Sequence, residues 1–294
     1  MTNNDVMAPI HGPWDAARVW VEQHGLDPRL IRWSPVLSEQ SFPPGEEELR
    51  EYFLTGAWIS WLGGPAAGPL PDWPRRTDGQ ALAHVATIDL ADVDGVLDGQ
   101  GKDTWEGLSE GLPVTGLLEV FHDLETYGYE PEDSKDGGWL VRWVADPDRS
   151  LLVSPPEDDP SPEPACQVVM SLPGWTLPSA MDAIGASDFE SCETAETEIR
   201  ASWVVQRTRK EGHPIPFSHV YGHSQTGEYI AREILEKALP LKDLDDGYVL
   251  LLDLESWTTL SGWFGDASQL EVWIRSSDLE ASMFDDVWCI IRTD

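Results

Sequence analysis

Cysteine is scarce in this chain. Its three thiols in 294 residues, Cys166, Cys192 and Cys289, are odd in number and widely spaced, with no C-x-x-C pair. That excludes a disulfide framework, a zinc ribbon and a dithiol redox couple. Basic residues are few relative to acids: 19 Lys and Arg stand against 53 Asp and Glu, a formal charge of -34. A field of that sign repels nucleic acid and anionic membrane surfaces. Apolar runs of membrane-spanning length are missing, and the opening MTNNDVMAPI has neither the basic start nor the apolar stretch of a signal peptide. The expectation is a cytoplasmic protein with neither nucleic acid nor membrane among its partners.

Complete catalytic and cofactor motifs are missing as well. There is no G-x-x-x-x-G-K-[ST] and no G-x-G-x-x-G, and "GGPAAG" runs into Pro69 instead of a helix that could cradle phosphate, so no cofactor is expected. "VYGHSQTGEY" resembles a nucleophile elbow, with Gly222 and Ser224 in place. Thr226 stands at the second glycine position, however, and no histidine follows His223, whereas that fold brings its acid and then its histidine after the serine. His213, His219 and His223 are suitable ligand types, but H-E-x-x-H is absent and Pro214 and Pro216 put the first in an irregular loop; no metal is expected. Asp89, Asp253 and Asp266 form a conceivable carboxylate cluster, for which strand ends and turns are the simpler reading among 53 acids. Cys289 sits in an apolar strand, where a thiol is inert.

What is present is tryptophan, fifteen residues whose large rings belong in the core or at a binding face. "WDAARVWVEQHG" and "PGEEELREYFLTG" read as amphipathic helices stopped by Gly25 and Gly56, and they make residues 1–57 an N-terminal helical segment packed on a main domain of 58–294. From "AWISWLGG" onward the pattern is short β-rich pieces: "AHVATIDL", "GLLEVF", "GGWLVRWV", "SLLVS". Residues 154–165, "SPPEDDPSPEPA", are an exposed loop or linker, because proline and repelling acids continue neither helix nor central strand. Then come the strand "CQVVMSL", two helices, "DFESCETAETEIRASWVVQRTRK" and "GEYIAREILEKAL", and a strand-rich end. "TIDL" followed by "LEVF" in the first half is echoed by "LLDL" followed by "LEVW" in the second. The echo matches Asp89 with Asp253 and points to two related halves, with the small alphabet of β-strands as the rival explanation.

The segments "LGGPAAGPLPDWPRRTDGQALAHVATIDLAD", "GLPVTGLLEVFHDLETYGYEPED", "FSHVYGHSQ" and "GWFGDASQLEVWIRSSDLEASMFDDVWCIIR" resemble successive blocks of the YwqG-like family, DUF1963, from about Trp58 to Arg292. The closing block is the most specific, with Gly265, Asp266, Leu270, Trp273, Ile274, Asp278, Leu279, Val287, Trp288 and Cys289 meeting its pattern. Phe264 stands where the family has tryptophan, with Trp263 one place earlier, and Tyr221 to Gln225 replace a G-Y-P-D block. The resemblance implies an α+β fold, mostly antiparallel sheet with flanking helices. It implies no established chemistry, and for members like this one an immunity or accessory role beside secreted toxins.

Charge, tryptophan count and the missing motifs together predict a binding protein that captures a cationic protein partner, such as a toxin, through its acidic exterior. Loops are where a compact α+β domain presents adaptable groups. The candidate contacts are therefore Tyr221, Gly222, His223, Ser224 and Gln225 in one turn, and Trp263, Phe264 and Asp266 in another. The alternative is a hydrolase or transferase working from Asp253 and Asp266 with His223 or His219 as base; it requires these groups to converge in a pocket.

Overall fold

The computed structural model describes residues 14–39, 45–98, 111–183, 188–206, 217–265 and 269–293. The first half of the chain runs α1 (Trp14–Gln23), β1 (Arg32–Trp33), β2 (Val36–Glu39), α2 (Glu46–Leu54), β3 (Ser60–Gly63), β4 (Ala66–Gly68), β5 (Ala83–Asp89), α3 (Leu90–Asp98), β6 (Leu117–His122), β7 (Trp139–Val144) and β8 (Asp148–Val153). The second runs β9 (Cys166–Leu172), β10 (Trp175–Thr176), α4 (Phe189–Gln206), β11 (His219–Val220), α5 (Glu228–Ala238), β12 (Tyr248–Glu255), β13 (Gln269–Arg275), α6 (Ser276–Glu280) and β14 (Trp288–Arg292). Residues 154–165, between the two, hold no helix or strand.

Ten of the strands form one antiparallel sheet in the order β14-β13-β12-β11-β2-β9-β3-β5-β6-β7, which makes the fold α+β. The order is nearly symmetric about its centre. A meander β3-β5-β6-β7 occupies one side and a meander β11-β12-β13-β14 the other, and the leading strands are exchanged: β2 pairs with β11, β9 with β3, and the two with each other. Register makes the relation concrete. Leu118, Val120 and Phe121 pair with Ile88, Ala86 and His84, skipping Val85; Leu270, Val272 and Trp273 pair with Leu254, Leu252 and Leu250, skipping Leu251. The same β-bulge at the same step of both hairpins is not a matter of strand composition.

That register also corrects the sequence match. Asp253 corresponds to Thr87 and Asp89 to Glu255, two residues away from the alignment of "TIDL" on "LLDL". A slip of two leaves every side chain on its own face, so alternation alone cannot detect it. The N-terminal segment likewise proves more than helical, since β2 is a central strand of the sheet. Four residues, "VLSE", are too few to show a period.

The sheet curls until its edge strands face one another. Trp139 of β7 packs edge-on against Trp288 of β14 at 4.8 Å and donates its indole N–H to the Val287 carbonyl. The chain at 127–128 seals the seam: the Tyr127 carbonyl accepts from the Ile291 N–H, and the Gly128 carbonyl from the Trp288 indole. A Cβ on Gly128 would lie 1.9 Å from the Cys289 carbonyl oxygen, so the close approach requires glycine. The inner face is dry, filled by Ile88, Leu118, Val120, Leu252, Leu254, Val272 and their neighbours, with Trp263 and Phe264 inserted from the turn after β12. On the outer face α5 covers Trp273 and Ile290, while α2 packs Leu49 and Phe53 on Trp61. A separate apolar cluster joins α1 and α4 to the β1·β10 ribbon through Ala17, Trp20, Trp33, Trp175 and Ile199.

Candidate functional site

The turn from 221 to 227 links β11 to α5 and lies against the β1·β10 ribbon. Its backbone is unusual: Tyr221 has φ 59° and Gly222 φ 90°. A Cβ on Gly222 would fall 1.8 Å from Ser34 Oγ, so only glycine fits there. Ser34 and Thr176, one from each end of the ribbon, share a hydrogen bond of 2.8 Å, and Thr176 Oγ1 accepts the His223 N–H at 2.8 Å. The five candidate residues of this turn are thus brought together, but they face different surroundings.

Ser224 and Gln225 turn inward. Ser224 Oγ donates to Glu271 Oε1 at 2.5 Å, and Glu271, fully buried on the outer face of β13, also receives Thr226 Oγ1, the Trp273 indole and Arg292. Burial raises the Glu271 carboxyl pKa and the Arg292 charge opposes the rise. The Gln225 N–H donates to Asp253 Oδ2 at 3.2 Å, while Gln269 Nε2 donates to Oδ1 at 2.6 Å. His219 donates from Nδ1 to the Tyr221 carbonyl at 2.5 Å and sets Nε2 3.5 Å from Asp253 Oδ2, both side chains wholly buried. Ser224 therefore serves a carboxylate that anchors the turn, and no histidine stands against its hydroxyl.

His223 turns outward into a cleft of about 460 Å³ between the α1–α4 layer and α5. Its Nδ1 meets Glu228 Oε1 at 2.7 Å and its Nε2 the Leu30 carbonyl at 3.0 Å. Two acceptors are satisfied together only by the imidazolium, whereas burial pulls the imidazole pKa below its ordinary value. Burial also works against the Glu228 carboxylate, but the His223 hydrogen bond and the neighbouring His223, Arg32 and Arg232 charges outweigh it and bring its pKa to about 2. Glu228 stays ionised at every physiological pH.

Of the other candidates, Trp263 and Phe264 are buried in the barrel interior and reach no cleft. Asp266 and His213 lie outside the described residues. Asp89 is far around the sheet from Asp253, with four strands between them in either direction, and is paired with Arg149 at 3.2 Å. Among the described residues no three His, Cys, Asp or Glu side chains are grouped to hold a metal ion. Cys289 is buried, and burial pushes its thiol pKa up; burial also raises that of Cys166, to about 11. Sequence reasoning missed Arg32, Asp182, Glu228 and Arg232. Only the last two carried a signal, as an i,i+4 pair in "GEYIAREIL".

Fold and site together define a duplicated, barrel-like α+β domain with a charged cleft on its exterior. The sequence profile of DUF1963, a domain of unknown function, matches residues 60–292, and the chain belongs to that family. No curated protein of known activity matches the chain significantly. Among the described residues no helix is long and apolar enough to cross a membrane.

Proposed function

We propose that this protein is a binding protein for a cationic protein partner, which it engages through the acidic, aromatic surface around α2. The observation that carries the reading is how the positive charge is used. Every arginine whose side chain is described is in an ion pair with a carboxylate of the same chain. Most of the remaining described acids are half-buried or exposed, and with a formal charge of -34 a partner meets negative surface first. On α2, Glu47, Glu48 and Glu51 are exposed beside Tyr52, Leu54 and, just past the helix, Trp58. Trp58 is 63% exposed, the one exposed tryptophan among those whose side chains are described. An aromatic anchor rimmed by like charges suits an oppositely charged face, the acids speeding capture and the ring supplying burial.

The reading extends to an immunity role, in which the partner is a toxin, as the family resemblance implies. Of the groups in the carboxylate–histidine alternative, Asp253 and His219 are closed off from solvent, His223 faces a cleft that Asp253 does not line, and Asp266 lies outside the described residues. The test is a pull-down at low and at high salt with wild type, Trp58→Ala and the triple change Glu47→Lys, Glu48→Lys, Glu51→Lys. A basic protein retained at low salt, released by high salt and lost with both variants supports the proposal; rescue of cells expressing that protein supports the immunity role. Capture of no basic protein, or capture indifferent to both variants, sinks it.

A further inference from the structure

The cleft beside the 221–227 turn carries charge of both signs, and neither is used up. Glu228 is the shared counterion of two guanidiniums: Arg32 Nη1 reaches Oε1 at 2.9 Å and Arg232 Nη2 reaches Oε2 at 3.2 Å. One bond each leaves most of the five N–H donors of either arginine open, and their side chains are 47% and 59% exposed. One carboxylate cannot neutralise two guanidiniums, so this part of the lining has positive charge to spare. The rest of the charged lining is acidic, Asp182 from the short helix at 180–183 and Asp188 from the start of α4. Asp182 Oδ1 accepts the Tyr229 N–H at 2.9 Å, while its Oδ2 is buried with no hydrogen-bond partner. An unpaired buried acceptor costs free energy, which a donor recovers once a turn of the side chain opens the oxygen to the cleft.

Between the charges lie apolar surfaces of Leu30, Pro178 and Cys192. The volume, about 460 Å³, falls in the roughly 300–1,000 Å³ range of small-ligand pockets. A simple anion such as phosphate would use the arginines but confront Asp182 and Asp188. A simple amine would use the acids but confront Arg32 and Arg232. A molecule carrying both groups a few atoms apart meets the whole lining.

We propose that the cleft is a binding site for a free α-amino acid with an apolar side chain. Its carboxylate pairs with Arg32 and Arg232, its ammonium with Asp182 and Asp188, and its side chain lies on Leu30 and Pro178. This site is independent of the α2 surface, and either proposal stands if the other fails.

The experiment is calorimetric titration of the full chain with L-leucine and L-phenylalanine. L-leucinamide (no carboxylate), N-acetyl-L-leucine (no ammonium) and inorganic phosphate are run alongside, all to roughly 10 mM. Both amino acids are expected to bind, and each probe lacking one charge to bind about tenfold more weakly or worse. Arg232→Gln should remove the preference for leucine over leucinamide, and Asp182→Asn, which keeps an oxygen for the Tyr229 N–H, the preference over N-acetyl-leucine. Circular dichroism establishes that both variants are folded, and the wild-type series stands without them. No binding of either amino acid to wild type overturns the proposal, as does phosphate binding as tightly as leucine. So does a folded Asp182→Asn protein that keeps the full preference for a free ammonium.

Discussion

Replacing Arg292 with methionine tests the electrostatics that hold the 221–227 turn. The arginine is 3% exposed; it donates to Glu271 at 3.0 Å and, from its other terminal nitrogen, to the Thr226 and Gly227 carbonyls at 3.3 and 3.2 Å. Methionine fills the space but leaves a buried carboxylate with only neutral donors. Removing one partner of such a pair costs about 3–5 kcal/mol. An unfolding entropy of about 2.1 cal/mol/K per residue makes roughly 0.6 kcal/mol/K for 294 residues, so the variant should melt about 5–8 °C lower. Urea titrations at pH 7.5 and pH 5 separate charge from packing. Burial already raises the Glu271 pKa against the pull of Arg292, and losing the arginine raises it further. A carboxyl with a raised folded-state pKa stabilises fully below its unfolded value, and that contribution disappears as pH climbs through the folded value. The stability gap between variant and wild type must therefore narrow toward acid. Adding Glu271→Gln should recover part of the loss, since the two sites couple. A gap below about 1 kcal/mol, or one that does not change with pH, would refute the reasoning.

Two further outcomes follow from the barrel itself. His122 is wholly buried against Trp139 and Phe264, with Nδ1 accepting from the Leu124 N–H and Nε2 unpartnered; burial, opposed by Asp123, takes its pKa from 6.5 to about 4. A depressed base takes up protons on unfolding, so stability should fall by up to ~3 kcal/mol between pH 6.5 and 4, and urea melts of His122→Gln should show that slope flattened. Because β2 and β9 are exchanged between halves, fragments 1–153 and 166–294 should each aggregate alone and co-purify when co-expressed; a folded, monomeric 166–294 on gel filtration would contradict the exchange.

How much of this was legible depended on run length. Strands such as "AHVATIDL" and "SQLEVWIR" and helices such as "GEYIAREILEKAL" are long enough for their period to show, and they fall where β5, β13 and α5 lie. β2 and β11 have four and two residues, and their place is decided by the strands on either side. The duplication was visible in "LEVF" and "LEVW", its register was not, because a two-residue slip preserves faces. The turn at 221–225 stood out through Gly222, His223 and Ser224. The partners that give it a cleft, Arg32 and Asp182, come from distant segments with no local pattern around them, and no single-sequence signal marks convergence in space.

The duplicated acids show where specialisation has occurred. Glu119 and Glu271 hold equivalent places on the outer face, each buried and each paired with an arginine of the following strand, Arg142 or Arg292. Their covers differ. Over Glu119 lies the two-stranded β4·β8 ribbon: the Ala67 N–H donates to the acid at 2.6 Å, and Arg142 ties the Ala67 and Pro69 carbonyls at 2.6 and 3.0 Å. Arg142 Nε and the Thr87 hydroxyl complete the carboxylate's partners at 2.6 and 3.2 Å. Over Glu271 lies a turn leading into a helix, held by the Ser224 and Thr226 hydroxyls and by Arg292 on the 226 and 227 carbonyls. The first turns of that helix bring Glu228, Tyr229 and Arg232 to the lining of the cleft. The barrel thus supplies the same anchoring acid twice, and the cover that leads into α5 borders the cleft beside His223. On the proposals above, recognition rests on what is laid over the sheet, and substitutions in the cover should alter binding while those in the barrel alter stability.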